Sequence, residues 1–231
     1  MCGRFVAASP PAEIAAYFGV DEVADTPFEP NFNVAPTSDV YVVYTEGTTR
    51  RLDPLRWGLI PSWAKEASVG NRMFNARGET IATKGAFKSS FARRRCIVPV
   101  DGFYEWRVVA GQKRKQPYYI HRPDGEPYAF GGLWAQWSGS DSSGDDVVVR
   151  SATIITCAPN SKMAELHDRM PLILAPAVWD EWLDPSNTDI EHLSRLVVPA
   201  PPELIVFHPV SVEVNNARHR GAHLIDEVEV E

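Results

Sequence analysis

The sequence predicts an α+β fold dominated by antiparallel strands with a few short helices, and two observations carry that expectation. Apolar runs bounded by Pro, Gly and Asp recur through the middle of the chain, as hairpins require, while helical spacing is confined to short stretches. At 231 residues with 44% hydrophobic side chains, 7 tryptophans and 19 prolines, the chain can bury a substantial core as a single domain over 1–231, with no visible linker.

The elements follow in order. Pro11 to Gly19 puts Ile14, Tyr17 and Phe18 at helical spacing, with Ser9 as the expected cap and Gly19 as the stop. Asn31 to Thr37 reads as a loop, and Val40 to Tyr44 and Leu52 to Trp57 as strands. In the segment around Pro54 and Pro61, Trp57 and Trp63 are either both core residues or one is an exposed ring suited to stacking a base. If Met73 to Arg77 is extended, Asn75 and Arg77 share one face and Phe74 and Ala76 the other. An amide beside a guanidinium suits a sugar-phosphate, although an ordinary solvent face looks the same.

Arg95 to Val100 reads as a strand running into an Asp101-Gly102 turn, after which Glu105 sits between Tyr104 and Trp106. A carboxylate pressed against aromatic rings loses hydration and can exchange protons with a substrate; strand alternation would alternatively turn it outward. Pro117 to His121, Tyr128 to Trp137 and Val147 to Cys157 read as antiparallel strands, separated by Pro123-Asp124-Gly125 and by a polar loop from Ser138 to Asp146. A short helix is expected over Asn160 to Glu165. It leads into Leu166 to Pro171, where His167, Asp168 and Arg169 share one constrained loop; His167 is either structural or close to chemistry. Ala177 to Trp182 and Asp189 to Leu196 read as surface helices and Leu204 to Val214 as a last strand.

Charge is unevenly placed. The net charge of -7 conceals nineteen Lys or Arg against twelve acids in residues 47–175, flanked by acidic segments on both sides. Such a basic stretch marks either an anionic partner or a solvated face. The three cysteines, Cys2, Cys96 and Cys157, are far apart with no Cys-x-x-Cys pair, which argues against a disulfide framework and a structural zinc site and for a reducing compartment. His219 and His223 lie four apart, but Gly221 and the flanking arginines make a helical zinc site a poor expectation. No targeting segment or long apolar run is visible, so a cytoplasmic protein is expected.

The most informative stretch is Met1-Cys2-Gly3-Arg4-Phe5. Once Met1 is removed, Cys2 carries a thiol and a free α-amine on adjacent carbons, with ordinary values of about 8.5 and about 7.7–8.0. An amine condenses with an aldehyde to an imine, and the neighbouring thiol can close onto it as a five-membered thiazolidine. The plain alternative is a small apolar residue at the start of a strand.

Cys2-Gly3-Arg4-Phe5, Asn33-Val34-Ala35-Pro36, Trp57-Gly58, Asn75-Ala76-Arg77 with Glu79, Gly102 to Trp106, and His167 to Pro171 together resemble the SOS response-associated peptidase (SRAP) family. The likeness runs from Cys2 to Asn216. It implies an α+β fold on a barrel-like antiparallel sheet, and capture of abasic sites in single-stranded DNA as a thiazolidine crosslink that shields the lesion. By the same resemblance Cys2 is the nucleophile, Asn75 positions the deoxyribose, and Glu105 and His167 move protons. Arg4, Asn33, Pro36, Trp63, Arg77 and Arg169 are the DNA contacts it implies. A monomer needing no cofactor or metal is expected, with single-strand/double-strand junctions as a further DNA partner and association with the nucleoid when bound. Gly78, before Glu79, departs from the pattern in that a bulkier residue would be unremarkable there. Two alternatives remain open: an N-terminal-nucleophile cysteine peptidase or amidohydrolase, its action limited in one form to removal of Met1, and a reader that binds single-stranded or modified DNA without reacting.

Overall fold

The structure is a computed structural model that describes residues 2–111, 114–140 and 143–230. Removal of Met1 concerns a residue outside that set, as does part of the loop between Ser138 and Asp146. The strands are β1 (Phe5–Ala7), β2 (Glu22–Val23), β3 (Asn31–Val34), β4 (Asp39–Glu46), β5 (Thr49–Trp57), β6 (Asn75–Arg77), β7 (Arg95–Val100) and β8 (Gly102–Arg107). They continue as β9 (Gln116–His121), β10 (Tyr128–Ser140), β11 (Asp146–Cys157), β12 (Met170–Pro171) and β13 (Val206–Pro209). The helices are α1 (Pro11–Phe18), α2 (Lys88–Arg93), α3 (Trp179–Leu183) and α4 (Ile190–Arg195).

Antiparallel pairing joins β11, β10, β7, β4 and β5 in that order, and a parallel pairing of β5 with β11 (Arg56 opposite Ser151) closes the ring into a five-stranded barrel. Closure removes the free edges that an open sheet would expose. The mixed-sheet character is a refinement of the antiparallel expectation, since β6 also runs parallel to β11. Beside the barrel lies a second sheet of five strands, ordered β13-β9-β8-β1-β3.

Alternation along the barrel strands sends side chains to two apolar clusters. Val42, Tyr44, Val98 and Ile154 join Phe5, Phe103 and Ile120 of the second sheet and Cys2 just ahead of it, whereas Val43, Ile97, Leu133 and Ile155 pack under the helices with Phe18, Trp182 and Leu193. Cys2 therefore lies at the seam between barrel and sheet.

Several local expectations are corrected. Asn31–Val34 is a strand rather than a loop, because β1 offers it a partner, with Phe5 opposite Val34. Ser9 does not cap α1; its hydroxyl donates to Asp101, and Gly19 with φ 63° ends the helix as expected. The helix after Asn160 shrinks to a 3-10 turn over Met163–Glu165. The last strand stops at Pro209, and the chain from Val212 to Asn215 forms a 3-10 turn instead. The helices near 177–195 are not wholly superficial, since Trp182 and Leu193 are fully buried. Among the described residues no helix is long and apolar enough to cross a membrane.

Candidate functional site

Cys2 precedes β1 and is fully buried. The register of β1 on β8 places Phe5 opposite Phe103 and brings the Tyr104 N–H to the Arg4 carbonyl, so Glu105 falls alongside the Cys2–Gly3 end of the chain. Glu105 points inward and is only 3% exposed, which decides between the two orientations left open by alternation. Burial, reinforced by the negative charge of Glu105, pushes the Cys2 thiol well above its ordinary value.

Asn75 reaches the same place from β6, beside the barrel. Its strand is held against β11 with Asn75 opposite Ile154 and Arg77 opposite Thr156. The Asn75 Nδ2 donates to the Cys2 carbonyl at 2.7 Å, while Oδ1 is buried with no hydrogen-bond partner among the described residues. Two close approaches set up that strand. Gly58, at φ 134°, lies so near Gly70 that an added Cβ would meet the Gly70 carbonyl oxygen at 2.6 Å, which draws the 67–72 segment in before Asn75. At Gly78 a Cβ would meet Val197 Cγ1 at 2.4 Å, so the apparent departure from the family pattern has a packing reason.

His167 enters from the loop before β12. Its Nε2 is 3.9 Å from Glu105 Oε2. The Arg169 N–H donates to His167 Nδ1 at 3.0 Å, and Asp168 Oδ1 lies 2.8 Å from the same nitrogen. One nitrogen cannot serve both partners. Nδ1 either accepts from the Arg169 N–H or, when it carries a proton, donates to Asp168, while Nε2 faces Glu105. Cys2, Asn75, Glu105 and His167 thus converge from four separate elements.

The remaining residues singled out in the sequence divide. Arg77 is exposed and lines an open groove of about 640 Å³ with Asn75, Arg72, Lys84, Thr80 and Thr83, and no acid contributes to its lining. Arg72 and Lys84 were not singled out; Lys84 belongs to the basic run, but composition could not separate it from Arg95, which is buried and donates to five carbonyls. Trp63 is 63% exposed in a loop anchored by Trp137 Nε1 on the Ala64 carbonyl, whereas Trp57 is core. Pro36 is half-buried in the turn after β3.

Arg4, Asn33 and Arg169 are engaged within the protein. Asn33 is buried, accepts from Arg4 at 2.8 Å and donates to the carbonyls of Val214, Asn216 and His219. It clamps the C-terminal segment. Arg4 shares this clamp through the Val214 carbonyl. Arg169 grips Glu79 and the Thr156 carbonyl, and its hydrogen bonds to Glu79, helped by its charge, hold that carboxyl below its ordinary value.

A family model for SOS response associated peptidase (SRAP) matches residues 1–217. The chain is 39% identical over 227 residues to the abasic site processing protein YoaM of Bacillus subtilis, covering 98% of each. It is 32% identical over 235 residues to the abasic site processing protein YedK of Escherichia coli, covering 99% of this chain and 100% of the relative. Among solved structures, a protein from Bacteroides thetaiotaomicron superposes with a TM-score of 0.84 at 22% identity over 99% of this chain and 100% of that one, a likeness of fold.

Proposed function

Because this chain belongs to the SOS response associated peptidase (SRAP) family, we propose that it senses abasic sites in single-stranded DNA and shields them as a covalent thiazolidine crosslink through Cys2. The observation that carries this reading is the convergence on Cys2 of the Asn75 amide and the Glu105–His167 pair. The abasic site processing proteins among its relatives support the DNA partner.

The chemistry runs in three steps. Removal of Met1 frees the Cys2 α-amine. The amine adds to the aldehyde of the ring-opened abasic sugar, and the carbinolamine loses water to give an imine. The Cys2 sulfur then bonds to the imine carbon, its proton passing to the nitrogen, so that the ring closes with one water released overall. A thiol that burial keeps neutral needs a base at that moment, and Glu105 is the carboxylate beside it. His167, whose Nε2 faces Glu105 at 3.9 Å, can return the proton. Asn75 holds the Cys2 carbonyl and so the position of the amine. Arg72, Arg77 and Lys84 give the adjoining groove the charge that a phosphodiester backbone needs. A single-domain monomer acting on nucleoid DNA and its junctions in the cytoplasm completes the reading.

The test is covalency. Mature protein mixed with single-stranded DNA bearing one abasic site should give a band that survives heat and detergent. Cys2→Ser should lose most of it, since a hydroxyl closes onto an imine far less readily, and Cys2→Ala should leave at most a transient imine. A residue inserted before Cys2 should block the reaction while keeping the thiol; if that protein still forms the stable adduct, the thiazolidine mechanism is wrong.

A further inference from the structure

We propose that the groove between β3, the start of β4 and residues 26–29 takes an unpaired nucleotide of the strand that flanks the lesion, and so favours single-stranded over duplex DNA. This deepens the DNA reading above and rests on it. The groove has a volume of about 550 Å³ and shares no lining residue with the basic groove at Arg72, Arg77 and Lys84. Its place relative to Cys2 follows from strand pairing. Ala7 and Val34 both line it, and Val34 is paired with Phe5 on β1, the strand that opens three residues after Cys2. Ala7 is five residues from Cys2, roughly 16 Å along an extended chain. The basic groove is tied to Cys2 through Asn75 on β6 instead. The two grooves therefore lead away from Cys2 along different elements, as two flanks of one captured strand require.

The lining suits a base more than a backbone. Phe28 and Tyr41 are half-buried with ring centroids 6.1 Å apart and planes inclined at 47°, and the Tyr41 hydroxyl lies 3.3 Å from the Thr26 hydroxyl and 3.4 Å from its carbonyl. Such rings offer stacking to any base. Asp39 and Glu29 line the same groove, exposed and in no ion pair among the described residues. Carboxylates repel phosphates, but they accept from the N–H groups that every base carries on its Watson–Crick edge. Those groups are free in an unpaired base and engaged by the partner strand in a duplex. Arg220 is the only cation in the lining, enough for one phosphate, and its guanidinium enters no ion pair among the described residues. Its backbone is fixed, because the Arg220 carbonyl accepts from the Phe32 N–H at 3.1 Å and the His219 carbonyl from Asn33 Nδ2 at 3.0 Å. Thr37, at φ 78°, is the only described residue other than glycine with a positive φ; it is held by its N–H on the Trp57 carbonyl at 2.8 Å and by Arg56 on its own carbonyl at 3.2 Å. Strain kept in place at the rim of a groove accords with a binding role.

Intact DNA without an abasic site tests this free of the covalent chemistry. Single-stranded oligonucleotides carrying 5-iodouracil at one position each, bound to the wild-type protein and irradiated, should become attached at Phe28 or Tyr41 from at least one position, as read by fragmentation of the labelled peptide. Affinity gives the second readout. In Phe28→Ala combined with Arg220→Ala, the ratio of single-strand to duplex affinity at matched sequence and salt should fall on the order of tenfold, the scale of losing one stacked base. Phe28 is half-buried and Arg220 exposed, so the fold should survive both changes.

Photoattachment confined to other residues would overturn the proposal, as would an affinity ratio that the double variant leaves unchanged. The crosslinking reading fails separately. A mature protein that forms no adduct with abasic DNA but is labelled at Phe28 or Tyr41 would refute the thiazolidine and keep the nucleotide site, and the reverse pattern would remove the site and keep the thiazolidine.

Discussion

The Asn75 amide and the Cys2 carbonyl meet at 2.7 Å across 73 residues of sequence. The first strand begins only at Phe5, and the Cys2 carbonyl ahead of it is held by a side chain from β6, the strand paired on the outside of β11. Asn75→Ala should therefore slow adduct formation by on the order of 10- to 100-fold through misplacement of the amine. Global stability should fall by only about 1 kcal/mol, the typical worth of one hydrogen bond. Quenched time courses and denaturant midpoints measure the two quantities; a large stability loss with wild-type kinetics would make Asn75 a structural residue.

The groove beside Asn75 predicts a salt dependence. Arg77 and Lys84 line it without a neighbouring acid in the lining. Each charge removed by Arg77→Ala or Lys84→Ala should weaken binding to intact single-stranded DNA and reduce the slope of log affinity against log salt by roughly 0.7. The effects should be independent of base sequence. A slope that both variants leave untouched would make the groove a solvated face.

The sequence was most legible where local pattern and long-range structure agree. Val40 to Tyr44, Pro117 to His121 and Tyr128 to Trp137 alternate and are bounded by turns, and each is a strand. Asn31 to Val34 misled because its polar residues suit a loop; what makes it a strand is β1, distant in sequence, together with the interior use of the Asn33 amide. The same limit applies to the site. Cys2, Asn75, Glu105 and His167 could be named from motifs, but that Arg169 would be committed to Glu79, and Arg4 to Asn33, depends on pairings 90 and 29 residues apart. Periodicity carries no information about such pairs, and a basic residue reads alike whether it faces DNA, a carboxylate or, like Arg95, a set of carbonyls.

Alkaline pH should destabilise the fold. Burial raises the thiols of Cys2 and Cys96 well above their ordinary value and that of Cys157 to about 11, and it raises Tyr44 to about 12 with Tyr104, Tyr119 and Tyr128 also pushed upward. Above pH 9 the unfolded chain releases protons from these groups before the folded one does. It then binds fewer protons, so unfolding free energy falls as pH rises. Denaturant midpoints should be flat with respect to these groups near neutrality and decline from about pH 9 upward. A midpoint that rose over that window would contradict the buried, neutral state of these groups.

Glu105→Gln separates electrostatics from proton transfer. In the wild type the Glu105 charge adds to burial in keeping the Cys2 thiol protonated. Removing that charge should lower the thiol toward its ordinary value, so alkylation of the Cys2 thiol at fixed pH should speed up or hold constant, limited by burial. Adduct formation with abasic DNA should move the opposite way and slow by about 100-fold, the typical contribution of a positioned acid–base group, because the glutamine cannot accept the thiol proton. Binding to intact DNA should be unaffected, since Glu105 is only 3% exposed. Opposed movement of the two rates is what distinguishes a proton relay from simple loosening, which would accelerate alkylation without a selective loss of ring closure. If Glu105→Gln forms the adduct at the wild-type rate, the carboxylate is a packing residue and the base must be sought at His167, where His167→Ala would then carry the whole loss.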